Sequence, residues 1–121
     1  MNTNEILRAY IVCALWSSMD NTDDNGGEPM DANYSEDDIS PDTVADMRAD
    51  VEAFTQSARA LLARAGLSDS QIGHDFWLTR NGHGAGFWDR GLGDVGELLT
   101  TICKPFGSVD LYVGDDGLIY S

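Results

Sequence analysis

Positive charge is what this sequence has least of. Seven Lys and Arg stand against 21 Asp and Glu in 121 residues, a formal net charge of −14. A surface of that sign is repelled by a phosphate backbone, so ordinary nucleic-acid binding is excluded. Cysteine is scarce too. Cys13 and Cys103 each fall in apolar, helix-patterned surroundings, where buried free thiols are expected, and neither belongs to a CxxC or Cys–His zinc pattern. Long apolar runs are missing: YIVCALW at 10–16 is too short to span a bilayer. The start, MNTNEILRAY, carries an early acid and no basic leader region, so no secretory signal is expected. A phosphate-cradling P-loop, a G-x-S-x-G elbow and a dinucleotide fingerprint are also lacking. Together these absences predict a soluble protein of a reducing cytosol, without membrane contact, metal or cofactor, and not an enzyme.

The chain is the length of one domain, 1–121, with an ordinary share of apolar residues for a single modest core. Residues 3–18 read as a helix capped by Asn2 or Thr3, with Ile6, Leu7, Tyr10, Ile11, Ala14 and Leu15 on one apolar face that Val12 and Trp16 widen. The composition then shifts to Asp, Asn, Gly and Ser, marking a loop at about 19–39. From Asp20 to Glu52 there are twelve acids and one base, Arg48. That local net of −11 accounts for most of the total. The nearest calcium-loop register starts at Asn21 and continues through Asp23, Asn25 and Gly26, but it places Ala32 where a bidentate Glu is required. A solvated acidic loop is the better reading, with Pro29, Met30 and Tyr34 pinning it to the body.

Ser40-Pro41 opens a second helix, and Gly66 ends it. Val44, Met47, Val51, Phe54, Ala58, Leu61 and Leu62 form its core-facing stripe. Asp42, Asp46 and Asp50 share another ridge about 6 Å apart per turn, where like charges repel by a few tenths of a kcal/mol per pair. Ser68-Asp69-Ser70-Gln71 reads as a capping box on a short helical turn. Next, 74–80 alternates as a strand, Asn81-Gly82-His83-Gly84 reads as a turn, and 84–89 reads as a second strand. Trp77 and Trp88 would then face each other across the hairpin, with Arg80 and Arg90 stacking on these rings or pairing with Asp75 and Asp89. A short helix at 94–103 turns Val95, Leu98, Leu99 and Ile102 inward and is closed by Pro105. A second hairpin ends the chain, turning at 114–117. The fold class predicted is α+β: a small antiparallel sheet of two hairpins, about four strands, packed against two longer helices and one short helix.

The segments HDFWLTRNGHGAGFWDR at 74–90 and DLYVGDDGLIY at 110–120, with YIVCALWSSMD and GGEPMDANYSEDDISP upstream, resemble a family of small acidic proteins of unassigned function in bacteriophage genomes. The resemblance implies a phage or prophage product made in the bacterial cytoplasm, and it supplies no catalytic residues.

Function is therefore expected through binding. Carboxylates one helical turn apart approach the spacing of phosphates along a DNA strand, so an acidic face can imitate DNA. The expected role is a DNA-mimic inhibitor of a basic, nucleic-acid-binding host enzyme, such as a CRISPR, restriction or other defence nuclease. Its contact residues would be Asp20, Asp23, Asp24, Glu28, Asp31, Glu36, Asp37, Asp38, Asp42, Asp46 and Asp50. The alternative is a small-molecule or metal-binding module, or a small accessory enzyme, using His74, Arg80, His83 and Asp89. Whether two copies pair through a sheet edge is left open by the sequence.

Overall fold

The computed structural model describes residues 1–20, 27–82 and 86–121. It overturns the α+β reading. Among the described residues, four α-helices make up the body: α1 Thr3–Ser17, α2 Pro41–Ala65, α3 Asp69–Arg80 and α4 Asp94–Cys103. The described strands are two residues long and pair as two separate antiparallel ladders, Met19–Asp20 (β1) with Glu28–Pro29 (β2), and Tyr112–Val113 (β3) with Ile119–Tyr120 (β4). The C-terminal hairpin exists in this reduced form. Among the described residues no four-strand sheet forms, and the edge through which copies might have paired shrinks to two residues.

The failed hairpin is the informative error. Residues 74–80 alternate in polarity, yet they lie in α3, which begins at the Ser68 cap predicted as a short turn. Ser68 Oγ accepts from the Gln71 amide at 3.1 Å. Every residue from Asp75 to Arg80 is buried. A helix covered on all sides needs no 3.6-residue stripe, and its buried polar residues, Asp75, Thr79 and Arg80, break the apolar run into a false period of two. Among the second-strand residues that are described, Phe87–Asp89 form a single 3-10 turn. Trp77 is buried on α3, while Trp88 is 42% exposed.

α1 starts as expected: Asn2 Oδ1 accepts from the Asn4 and Glu5 amides. Its buried face is narrower than predicted, because Val12 and Trp16 stay in solvent at 59% and 58% exposure. They share a ridge with Glu5 and Arg8, away from the Tyr10–Ala14 line that meets the core. α2 is capped by Ser40, whose Oγ accepts from the Thr43 amide, and ends on Gly66 at φ +67°. Its buried residues, Thr43, Met47, Val51, Phe54, Ala58 and Leu62, follow steps of three and four. In α4, Gly96, Leu99 and Cys103 are buried, but Leu98 turns out to water.

α3 lies closest to α1, and Gly73 permits it. A Cβ at Gly73 would stand 2.2 Å from the Ile6 carbonyl oxygen and 2.8 Å from the Tyr10 amide nitrogen, so a side chain cannot be fitted without separating the helices. Beneath that crossing lies an aromatic core. Phe54 and Phe76 stack at 4.2 Å, and Phe87 lies 5.7 Å from Phe54. Phe106 meets Phe76 edge-on at 5.2 Å, and Tyr10 packs against both Phe76 and Trp77. The C-terminal ladder docks on the start of α2, where the Ser40 amide donates to the Ile119 carbonyl at 2.9 Å. No helix among the described residues is long and apolar enough to cross a membrane.

Candidate functional site: an acidic face beside two arginine-bound carboxylates

The acids of this chain fall into two environments. The first is internal. Asp75, fully buried on α3, accepts a two-pronged contact from Arg90, Nε to Oδ2 at 3.0 Å and Nη2 to Oδ1 at 2.8 Å. Gln71 Nε2 also donates to its Oδ1 at 2.7 Å, and His74 Nδ1 lies 3.2 Å from the same oxygen. The fork geometry of arginine suits a carboxylate held without water. This hydrogen bond, ahead of all other influences, raises the Arg90 pKa above its usual value.

Arg80 is the second internal centre. Its guanidinium donates to Asp50 Oδ2 (2.8 Å), Tyr10 Oη (3.0 Å), the Phe106 carbonyl (2.8 Å) and the Gly107 carbonyl (2.9 Å), and lies over the Phe76 and Phe106 rings. The predicted stacking of Arg80 on aromatic rings is present, though on phenylalanines rather than tryptophans. The predicted Arg90–Asp75 pair is present as well. Burial pushes the Tyr10 phenol up to about 12, against the opposing pull of Arg80. Burial likewise pushes both thiols up to about 12, with the Asp75 charge adding to the effect at Cys13. Both cysteines are free and buried, so at neutral pH they are protonated and unreactive.

The second environment faces water. Glu28, Asp31, Glu36, Asp37, Asp42 and Asp46 are exposed, and Asp20 and Asp38 are half-buried. Local hydrogen bonds fix this stretch. The Met30 amide donates to the Ser18 carbonyl, Asn33 Nδ2 to Glu28 Oε2, and the Ser35 amide to Asp38 Oδ2. Met30, 1% exposed, pins the segment to the core as predicted, whereas Pro29 lies in solvent. The β1–β2 register places Asp20 opposite Glu28, a like-charge pairing that costs stability. Among the described residues, no ion pair engages Asp31, Glu36, Asp37, Asp42 or Asp46. Asp50 differs from its neighbours on the α2 ridge: it is bound to Arg80, and its side chain is 38% exposed.

The remaining predicted residues are placed as follows. Asp23 and Asp24 of the acidic loop, His83 of the ligand-binding alternative, and Asn21, Asn25 and Gly26 of the calcium register lie outside the described residues. His74, Arg80 and Asp89 do not converge on a cleft: His74 leans on Asp75, Arg80 is consumed by the core, and Asp89 is exposed on the 3-10 turn. Among the described residues, no group of three or more His, Cys, Asp or Glu is arranged to hold a metal ion. The Asp75 node, with Gln71 and Arg90, was only partly legible in the sequence. Gln71 and Asp75 are one turn apart on a helix, but that spacing means nothing while 74–80 is read as a strand. Protein families, curated proteins and solved structures compared with the chain gave no match.

Proposed function

We propose that this protein acts by binding, as an acidic inhibitor that occupies the basic, nucleic-acid-binding surface of a host enzyme. The observation that carries this reading is the row of exposed carboxylates from Glu28 to Asp46, carried on backbone that local hydrogen bonds and the start of α2 hold in place, and left without ion pairs among the described residues. A fixed array of charge loses less entropy on docking than a floppy one. It also steers a basic partner to the site at low ionic strength. Asp42 and Asp46 extend the array along α2, whereas Asp50 contributes mainly by holding Arg80.

The resemblance to phage proteins suggests the class of target: a host defence nuclease, CRISPR effector, restriction enzyme or polymerase, whose substrate groove is positively charged. The test is capture from bacterial host lysate by tagged protein, washed at two salt concentrations. A variant carrying Glu36→Gln, Asp37→Asn, Asp42→Asn and Asp46→Asn serves alongside. The expected result is recovery of one basic nucleic-acid enzyme, lost at high salt and lost in the variant. Recovery that is unaffected by the four substitutions would remove the acidic face from the mechanism.

A further inference from the structure

We infer that the acidic face surrounds an apolar anchor, and that the partner presents an apolar cleft bordered by Lys and Arg. The inference rests on the binding role proposed above and adds the centre of the contact. Val12 and Trp16, four residues apart on α1, and Met19, which begins β1 just past the helix end, remain 59%, 58% and 46% exposed. Single exposed apolar residues are ordinary. Val12 and Trp16 lie one turn apart on the outer side of α1, a valine and a tryptophan side by side in water, and Met19 adds a third exposed apolar side chain three residues on.

The surroundings of these side chains specify their partner. Beside Val12 runs a groove of about 220 Å³, whose apolar lining includes Ile11 and Leu15 and whose other wall carries Asp31 and Glu36. At the other end, Met19 begins β1, and the next pair in the ladder is Asp20 with Glu28. Acids therefore border these apolar side chains at both ends, with Arg8 the one base on the groove. An anionic membrane or a nucleic acid is repelled by that border. A second copy brings its own charge of −14 and is repelled as well. A basic protein surface with an apolar centre satisfies both elements. Tryptophan at the middle of a patch with a polar rim is the usual arrangement of an interface hot spot. The contact then has two separable parts: the rim attraction is screened by salt, and the apolar part is not.

Two synthetic peptides of equal lysine count test this. One is an amphipathic helix with leucine on a single face; in the other, every leucine is replaced by glutamine. Titrated calorimetrically at low salt, the leucine peptide should bind at least about tenfold more tightly, a difference of ~1.4 kcal/mol. Trp16→Ala and Val12→Ser should each remove most of that preference and leave the glutamine peptide's affinity unchanged. Both side chains lie in solvent, and circular dichroism melting confirms that each variant folds. Equal affinities of the two peptides would overturn the anchor while leaving the acidic reading standing. Binding of neither peptide at low salt would overturn both. A dimer seen by light scattering and abolished by Trp16→Ala would assign the anchor to a second copy and overturn the proposed partner.

Discussion

Asp50 and Asp46 lie one turn apart on the same helix and do opposite things. Asp50 leans inward and holds Arg80 at 2.8 Å, while Asp46 stands in water with no ion pair among the described residues. The same division runs through the molecule: Asp75 and Asp50 bind arginines, and among the described residues the carboxylates of 28–46 do not. Two of the chain's seven cationic residues are thereby committed to structure. Each of these pairs is neutral as a unit, so the whole net charge of −14 is carried by the remaining residues. Carboxylate content alone says little, because neighbouring arginines decide which acids build the fold and which are available to a partner.

The sharpest way to break this contrast is to remove an interior cation. Arg80→Ala leaves Tyr10 Oη, two backbone carbonyls and Asp50 without their shared donor, and should cost about 3–5 kcal/mol of unfolding free energy in urea titration. Arg80→Lys should recover only part of this, since an ammonium cannot span four acceptors in a fork. A cost below about 1 kcal/mol would mean that Arg80 does not organise the contacts around it. Gly73→Ala probes the crossing beside it without changing charge. The added Cβ meets backbone atoms that cannot rotate away, and overpacking of this kind should cost about 3 kcal/mol by the same measurement.

Much of the helical framework was legible. The Ser40-Pro41 opening, the Gly66 stop and the three-four stripe of α2 are local signals that tertiary contacts did not override. α3 was not legible, because burial on every side erased the stripe and its polar residues found partners far away in sequence: Arg80 reaches Asp50, 30 positions back, and Tyr10, 70 positions back. Those pairings belong to the assembled fold. Val12 and Trp16 illustrate the converse. Their hydrophobicity predicted burial, but their angular position on α1 put them outside. The candidate face was legible as composition, since charge density needs no fold to be counted. Which of its acids remain accessible was not, and Asp50 is the case in point.

Raising the pH separates interior from surface again, through groups the acidic face lacks. Tyr10, Cys13 and Cys103 have folded-state values of about 12 against reference values of 10.0, 9.0 and 9.0. Their protons leave the unfolded chain first, so the folded state binds more protons above pH ~9 and stability falls as pH rises from there towards 12. The contribution is fully present below the unfolded values. Relative to neutral pH, a loss of about 3 kcal/mol by pH 10 is expected in denaturant titrations, each group contributing at most ~1.4 kcal/mol per pH unit. The Cys13→Ala, Cys103→Ala double variant should flatten most of that slope. An unchanged slope would mean that the thiols ionise as freely in the folded protein as in the unfolded chain.

The smallest effect tests the outer half of the comparison. Asp42→Asn and Asp46→Asn, singly and together, remove charges that no described ion pair engages, on a ridge where they repel each other. Stability should change by no more than about 0.5 kcal/mol, and in the double variant the sign should be stabilising, most visibly at low ionic strength. Added salt should stabilise the wild type for the same reason and should do less for the double variant. Asp42 also lies in the first turn of α2, where its charge favours the helix dipole. Asp42→Asn alone is therefore expected to be closer to neutral than Asp46→Asn. If either substitution instead costs more than about 1 kcal/mol, the residue is part of the framework, as Asp50 is, and the division between structural and available carboxylates has to be redrawn one turn nearer the start of α2.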